Sequence, residues 1–448
     1  MAEPVKFYLV TDTHFRPRNM CDQCQDYFDY MRYEQMTLAE NEAVLKATFD
    51  QIAADKETNI VIIPGDLTKN GERDSHIVFI KYLNELKAAG KKIYLITARH
   101  DFNDHATAFI DGHKVDVAGA TKEELAVLYK DFGFDDAIAR DPESFSYVAQ
   151  IAPGIRMLAI DSDGELIIDD GVGKKGYVND HIKNWIVEQA QAAKEAGDAM
   201  FAICHYPILP CSPFFELVGD AQLRNWKEVA DLLADNGIQF ALTGHMHIQS
   251  ANKRVSPAGN VFWDVCTSAL VGNPTMYRKV TFDGKKAEIE SITIPDFDWD
   301  LGGVSKKEYF DNRFVQCRVI NRLDRDLSKG KGIKKAGLGI AKKIVHSATL
   351  GGVGRLLFIS TDPSLKKKKF LDFACDIALN IFAGDEPYVK GTKEYEWMDK
   401  VLSRLGFVLK KAEPKLQSKM PDIDIHKMAL ESIGNTHDYS DNNLTIEL

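Results

Sequence analysis

The chain has 448 residues and a mass of 50.2 kDa, more than the size at which a single hydrophobic core usually stops growing. Hydrophobic residues make up 45% and charged residues 27%, which excludes a wholly disordered or fibrous chain. No run of 18 apolar residues occurs, so the sequence predicts no membrane-spanning helix. The formal net charge of −10 argues against general nucleic-acid binding, and we expect no nucleic-acid partner.

The cysteines and the N-terminal residues indicate a reducing compartment. Seven cysteines are an odd number, and their scatter along the chain does not match the disulfide framework of a small secreted domain. Residues 1–15 contain a strand-like apolar run, without a basic segment and a small-residue cleavage site, so they predict no secretory signal. We therefore expect a cytoplasmic protein. A chain whose signal had been trimmed would look the same.

Short apolar segments alternate with helical segments up to about residue 250. The predicted strands are Lys6–Asp12, Asn59–Asp66, Lys92–Thr97, Arg156–Ser162, Met200–Tyr206 and Gln239–Gly244. The predicted helices are Leu38–Ala54, His76–Ala89, Val178–Ala196 and Asn225–Asn236. The pair Asp283-Gly284 predicts a hairpin that joins Arg278–Phe282 to Lys286–Ile294. Together these elements predict a layered α/β core with mixed sheets.

The character of the chain changes near residue 300. Residues 305–448 show helical patterns and no convincing strand, so we predict a catalytic domain at 1–300 and a helical C-terminal domain at 301–448. Between Lys306 and Phe370 there are 17 basic and 5 acidic residues. Ile333–Ala348 projects as a basic amphipathic helix, which fits docking on the acidic remainder or contact with a membrane surface. We favour docking, and we expect the helical domain to roof the cleft and limit substrate size.

Histidine and aspartate residues lie where the predicted strands end. In an open α/β sheet, the carboxyl ends of the strands gather along one edge, and ligands bind there. Carboxylate oxygen and imidazole nitrogen are ligands of Zn, Mn or Fe. This pattern predicts two divalent metal ions at that edge, bridged by one aspartate. The residues concerned are Asp12, His14, Asp66, His100, Asp101, His205, His245 and His247.

In order and spacing, these motifs resemble those of the calcineurin-like metallophosphoesterases. The family blocks are D-x-H, G-D, G-N-H-[DE], a lone His and G-H-x-H. The corresponding residues are Asp12-Thr13-His14, Gly65-Asp66, Ala98-Arg99-His100-Asp101, His205 and Gly244-His245-Met246-His247. The resemblance covers about residues 5–295. The layout is most similar to class III cyclic nucleotide phosphodiesterases and related bacterial phosphodiesterases, which can carry an added helical C-terminal part.

The resemblance implies a four-layer αββα sandwich and a metal-dependent phosphohydrolase. The expected substrate is a small phosphate ester, either a cyclic nucleotide or another small diester, attacked by a metal-bound hydroxide. A phosphomonoesterase or a nuclease would share the same ligands, and a catalytically weakened binding module is the alternative outside enzymes. The implied ligands are Asp12, His14 and His247 for the first ion, Asp66 as the bridge, and His205 and His245 for the second ion.

The remaining site residues also follow from the resemblance. His100 would protonate the departing oxygen, a role that suits imidazole because its pKa lies near neutrality. Asp101 would orient His100, and Asn70 is a candidate contact to substrate. We interpret Cys21 and Cys24 as structural cysteines in a lid over the site, rather than as a redox or zinc pair.

Position 99 departs from the family pattern. The family has an Asn ligand there, whereas this chain has Arg99, which carries no lone pair to give to a metal. Three interpretations remain open. Arg99 replaces the second ion as a phosphate clamp, or it weakens the second site as a natural or engineered change, or it turns outward and water completes the coordination. We predict a weakened second site and a substrate contact through Arg99.

Overall fold

The computed structural model describes residues 3–102, 105–163, 176–217, 219–329, 342–343, 345–416 and 423–448. The predicted amphipathic helix at 333–348 lies largely outside these residues and stays a prediction. None of the helices within the described ranges is long and apolar enough to cross a lipid bilayer.

Fifteen strands and twelve α-helices are found in these ranges. The strands are β1 (Val5–Leu9), β2 (Ile60–Pro64), β3 (Lys92–Ile96), β4 (Thr107–Ile110), β5 (His113–Asp116), β6 (Ala137–Arg140), β7 (Tyr147–Ala152), β8 (Ile155–Ile160), β9 (Ala199–Cys204), β10 (Phe240–Thr243), β11 (Ser250–Val255), β12 (Val261–Cys266), β13 (Met276–Phe282), β14 (Lys286–Thr293) and β15 (Asn443–Glu447). The helices are α1 (Gln25–Met31), α2 (Asn41–Ala54), α3 (Arg73–Ala88), α4 (Lys122–Leu128), α5 (Asp180–Ala196), α6 (Trp226–Asp235), α7 (Lys306–Phe314), α8 (Asn321–Ser328), α9 (Leu350–Leu356), α10 (Phe370–Ala383), α11 (Lys393–Leu416) and α12 (Ile425–Glu431). Every strand and helix predicted between residues 6 and 250, and the hairpin that follows, coincides with one of these elements.

The strands form two large sheets and one separate hairpin, β4–β5. The first sheet has the order β15-β14-β13-β1-β2-β3, in which β1, β2 and β3 run parallel and the remaining neighbours run antiparallel. The second sheet has the order β11-β12-β10-β9-β8-β7-β6, with a parallel centre from β12 to β8 and antiparallel pairs at both ends. Both sheets are therefore mixed, as predicted.

The main core lies between the two sheets. The Phe7 and Phe201 rings stack with centroids 5.4 Å apart, and Phe240 stacks on the other side of Phe201 at 5.2 Å. Buried residues of α2 and α3, such as Phe49 and Phe79, belong to the same apolar cluster as the first sheet. Helices α5 and α6 pack with the outer face of the second sheet in a separate cluster. Helix, sheet, sheet and helix thus form the four layers that were predicted.

The prediction that no strand follows residue 305 is wrong at β15. This strand pairs antiparallel with β14 at the edge of the first sheet. It alternates exposed and buried side chains, and Leu444 and Ile446 enter the main core. A strand of five residues that begins within the polar Asp441–Asn443 stretch carries little strand signal of its own. Arg278 holds this stretch in place by donating from Nη1 to the carbonyls of Asp441 and Asn442.

The C-terminal helices pack directly on the α/β core. Phe310 of α7 belongs to the main core cluster, and Phe314 packs with Phe382 and Ile248 in a cluster beside the Gly244–His247 motif. Helices α9, α10 and α11 share a small core around Trp397. Since β15 returns to the first sheet, residues beyond 301 contribute to the stability of the α/β core. The domain boundary at residue 300 stays a prediction.

We predict that Ile446→Ala lowers the free energy of unfolding by about 2–5 kcal/mol, because a fully buried isoleucine leaves a cavity in the main core. Thr445→Ala, on the exposed side of the same strand, should change it by less than about 0.5 kcal/mol. Urea unfolding of the full chain measures both. Equal, small effects would show that β15 does not dock in solution.

Candidate metal centre

The backbone of the candidate ligands is unusual. Eight non-glycine residues of the described chain have a left-handed φ, and five of them are predicted ligands, with φ between 38° and 67°. They are Asp12, His14, Asp66, His245 and His247. Such conformations cost roughly 1–3 kcal/mol each and cluster at functional sites. The loops after β1, β2 and β10 are therefore held in a strained form that turns these side chains to one place.

The first cluster consists of Asp12, His14 and His247, whose potential ligand atoms lie within 4.8 Å of one another. His14 Nε2 lies 3.0 Å from His247 Nε2, and Asp12 Oδ1 lies 3.2 Å from the same nitrogen. All three side chains are buried. Two imidazole nitrogens and a carboxylate oxygen that converge on one point are a suitable donor set for a divalent transition metal.

The second cluster consists of Asp66, His205 and His245. His205 donates from Nδ1 to the Pro64 carbonyl at 3.0 Å, which turns its Nε2 to within 3.2 Å of Asp66 Oδ2. His245 Nε2 donates to the Asp220 carbonyl at 2.7 Å, which leaves its Nδ1 lone pair for a metal. His14 Nε2 lies 3.7 Å from Asp66 Oδ2, so the two clusters are adjacent.

Two glycines allow the loops to approach this closely. A Cβ on Gly244 would lie 2.3 Å from Asp12 Oδ2, and the neighbouring His245 N–H donates to the same carboxylate at 3.0 Å. A Cβ on Gly65, whose φ is +98°, would lie 2.8 Å from His205 Nδ1. The glycines of the G-D and G-H-x-H motifs are therefore required by contacts between the ligand loops.

The charges of the site depend on one another. Burial alone would raise the pKa of Asp12 and Asp66, but the surrounding histidines hold the pKa of both below its ordinary value. Burial opposes protonation of His205, yet the Asp66 carboxylate outweighs burial and raises the pKa of His205 to about 10.

The side chains of the two clusters offer donor atoms that suit divalent metal ions. The Nε2 atoms of His14, His205 and His247 each lie within 3.7 Å of an Asp12 or Asp66 carboxylate oxygen. Buried imidazole nitrogens and carboxylate oxygens that converge in this way are a donor set for divalent transition metals. In the part of the chain that the structure describes, no lysine or arginine forms an ion pair with Asp12 or Asp66. The residues present fit the implied group.

His100 lies beside both clusters and shares a group of potential ligand atoms with His14 and Asp66. Its Nδ1 donates to the Lys69 carbonyl at 2.7 Å, and its backbone N–H donates to Asp66 Oδ1 at 3.1 Å. Burial lowers the pKa of His100 to about 4, although Asp66 opposes this shift. Burial thus outweighs the nearby carboxylate and holds the pKa of His100 below that of a free imidazole.

The prediction that Asp101 orients the His100 ring needs correction. The Asp101 carboxylate accepts from the backbone N–H groups of Thr68 and Ala98, each at 2.9 Å. It therefore fixes the turn that carries Arg99 and His100, whereas the Lys69 carbonyl orients the imidazole. The short helical turn at Arg99–Asp101 places the carboxylate toward the backbone, so it acts on the loop rather than on the ring.

Arg99 lies beside the second cluster but turns to other partners. Its Nη1 donates to Asp220 Oδ2 at 3.1 Å and to the Tyr206 hydroxyl at 3.3 Å. The Tyr206 ring packs on the His245 ring, with centroids 3.9 Å apart. Arg99 is about 29% exposed, so the guanidinium reaches solvent at the rim of the cluster.

The structure also places residues that the motifs did not indicate. Gln35 contacts His247, Asp220 contacts both Arg99 and His245, and Tyr206 covers His245. Gln35 and Asp220 lie in loops, where the sequence has no periodic pattern that could indicate a role. For Tyr206, the only signal in the sequence is its position next to His205. Asn70 is half-buried beside Lys69, the residue whose carbonyl holds His100, and its substrate contact stays a prediction.

The Cys21–Cys24 segment packs as a small apolar unit. Cys21 is buried among Tyr27, Leu38 and Phe109, and both cysteines are unpaired. Burial raises the pKa of the Cys21 thiol to about 12, which disfavours a reactive thiolate. This packing agrees with structural rather than redox cysteines.

Several solved structures are similar to this chain. A dimetal phosphatase from Danio rerio has 13% sequence identity and a TM-score of 0.46, covering 65% of this chain and 98% of its own. A purple acid phosphatase from yellow lupin (Lupinus luteus) seeds has 13% identity and a TM-score of 0.42. The match covers 66% of this chain and 53% of the lupin chain. The NAD nucleotidase of Haemophilus influenzae has 12% identity and a TM-score of 0.37. The match covers 78% of this chain and 62% of the nucleotidase chain.

No curated protein sequence matches this chain. The family model for calcineurin-like phosphoesterases matches residues 5–249, which is more than half of the chain and includes both ligand clusters. The chain belongs to the calcineurin-like phosphoesterase family.

Proposed function

We propose that this protein is a metal-dependent phosphohydrolase, and that its substrate is a small phosphate diester. The observation that carries the proposal is the pair of adjacent three-residue clusters, Asp12–His14–His247 and Asp66–His205–His245. The preference for a diester rests on the motif layout, which resembles class III cyclic nucleotide phosphodiesterases. Membership of the phosphoesterase family supports the hydrolase class.

In this proposal Asp12, His14 and His247 would hold one divalent ion, His205 and His245 would hold another, and Asp66 would contribute to both. Nitrogen and carboxylate donors suit Mn, Fe or Zn. When bound, such ions stabilise charge on phosphoryl oxygens and lower the pKa of water. The protein supplies a rigid frame for them, because strained loops and close glycine contacts fix the ligand atoms before any ion arrives.

His100 is assigned to the departing oxygen. Its Nδ1–H is committed to the Lys69 carbonyl, so its Nε2 is the atom that can exchange a proton with substrate. The acid role requires that Nε2 carry a proton when the phosphate ester is bound. A nearby negative charge favours the protonated imidazole.

Arg99 is assigned to substrate binding at the rim of the second cluster. Its bond to Asp220 is partly exposed, and exposed ion pairs contribute little stability, so a phosphate oxygen can compete for the guanidinium. Position 99 gives no ligand to the second ion, which therefore has fewer protein donors than the family pattern provides. We expect the second ion to bind more weakly than the first.

The first prediction concerns metal dependence. Protein stripped by a chelator should not hydrolyse bis(p-nitrophenyl) phosphate, and added Mn²⁺ should restore turnover. Asp66→Asn should lower turnover at least about 100-fold, because it removes the shared carboxylate and with it several kcal/mol of charge stabilisation. His113→Asn, in the exposed hairpin β4–β5, is the matched control and should match the unsubstituted protein. If the protein hydrolyses p-nitrophenyl phosphate but not the diester, it is a phosphomonoesterase rather than a phosphodiesterase. If it binds metal ions but hydrolyses neither substrate, it is a binding module.

The second prediction separates the acid role of His100 from a metal-binding role. His100→Asn should reduce kcat by about 10²–10⁴-fold for a diester with a poorly leaving alkoxide, which needs a proton. The loss should be much smaller for p-nitrophenolate, which leaves unprotonated. Metal content should stay as in the unsubstituted protein. Equal losses for both leaving groups would remove His100 from the acid role.

The third prediction concerns the second ion. Purified protein should contain less than two equivalents of metal per chain, with the shortfall at the Asp66–His205–His245 cluster. Arg99→Asn should tighten binding of the second Mn²⁺, because it restores a neutral oxygen donor, as measured by calorimetry and elemental analysis. Two full equivalents in the unsubstituted protein, with no change in Arg99→Asn, would contradict the weakened site.

A further inference from the structure

The loop between α1 and α2 reaches the first cluster through the side chain of Gln35. The Gln35 amide nitrogen forms a close contact with His247 Nδ1. Gln35 is 8% exposed and His247 is 6% exposed, so water does not compete freely for this contact. No motif of the sequence includes Gln35.

The orientation of the Gln35 amide decides which nitrogen of His247 carries a proton. In the contact as observed, the Gln35 NH₂ group faces Nδ1, and Gln35 Oε1 is buried without a hydrogen-bond partner. An amide has nearly the same shape after a half-turn, which exchanges its oxygen and nitrogen. The half-turn gives Oε1 a donor, Nδ1–H of His247. It also leaves Nε2, the nitrogen that lies among Asp12 and His14, with a free lone pair.

The backbone on both sides of Gln35 is fixed by other parts of the fold. Arg313 of α7 donates from Nη2 to the carbonyl of Met36 at 3.1 Å, and Thr37 N–H donates to the Val271 carbonyl at 2.8 Å. Glu34 forms an ion pair with the buried Lys69 at 3.1 Å. Gln35 is therefore presented to His247 by a braced loop.

We propose that Gln35 is a positioning residue for the first metal ion. Its Oε1 accepts the Nδ1–H of His247, fixes the tautomer and the ring angle, and so directs the Nε2 lone pair to the ion. The proposal rests on the ligand role given to His247 above. Partners of this kind typically contribute 10- to 100-fold to metal affinity or activity.

The test measures binding of Mn²⁺ alone to the metal-free full-length chain by calorimetry. Gln35→Met keeps the length of the side chain but replaces the amide oxygen with a thioether sulfur, a much weaker acceptor, and it should weaken the tighter Mn²⁺ site by about 10- to 100-fold. Gln35→Glu keeps an acceptor and should stay within a few-fold of the unsubstituted protein. Gln150→Met is the matched control, since the Gln150 amide contacts the Ala152 and Ile155 carbonyls near the start of β8, away from the ligand loops.

The unfolding temperature of each metal-free variant shows whether a loss of affinity reflects a loss of fold. If Gln35→Met does not fold, Gln35→Asn, which is one methylene shorter, takes its place with the same expected loss. Unchanged affinity in Gln35→Met, or an equal loss in Gln35→Glu, would overturn the proposal. A chain that binds no Mn²⁺ would overturn both this inference and the proposed function. If Gln35→Met weakens Mn²⁺ binding but the unsubstituted chain hydrolyses no phosphate ester, the positioning role of Gln35 is supported and the proposed function is wrong.

Discussion

The site depends on two carboxylates, Asp12 and Asp66, that are buried next to each other. Within the described part of the chain their ion-pair partners are all histidines. Burying such charges is costly unless they are paired, and the left-handed backbone at both residues adds strain. A fold that only needed stability would gain from replacing them with apolar residues. This cost is consistent with a site that is completed by cations. The ligand loops must therefore be held in place by contacts with the rest of the fold.

The loops are held from both sides, and the C-terminal region supplies much of this support. Arg313 binds the loop that carries Gln35, and Ser432 accepts from the Phe214 N–H at 3.2 Å, in the loop that leads to Asp220. The Phe382 carbonyl accepts from Gln249 N–H at 3.0 Å, two residues after His247. The helical region thus stabilises the walls of the site, whether or not it also limits substrate size. Its last strand belongs to the first sheet, so removing residues 305–448 would damage the α/β core itself.

The sequence predicted the sheets, and it predicted that the candidate ligands converge, because both have strong local signals. Apolar runs that end in Asp or His mark strands and place their ends at one edge, as for Asp66 after β2 and His205 after β9. The roles of Asp101, Gln35 and Asp220 were not predictable, because they depend on the conformation of loops that no periodic pattern describes. β15 was missed since five alternating residues gain their strand from pairing with β14. The roles of these residues and the formation of β15 depend on contacts between segments that are distant in the sequence. A sequence motif contains only one of the two residues in each such contact.

Position 99 illustrates how such a contact changes the interpretation of a substitution. Taken alone, a guanidinium in place of an amide puts a positive charge beside a cation site. With Asp220 bound to it, the pair carries no net charge, as the amide would, so most of the electrostatic penalty for a second ion is cancelled. In the proposed function, what remains lost is one oxygen donor to the second ion, while Asp66, His205 and His245 still converge. Arg99 and Asp220 are both partly exposed, so in the same proposal a phosphate oxygen of the substrate would compete with Asp220 for the guanidinium. The proposal thus assigns the side chain at position 99 to the substrate rather than to the metal.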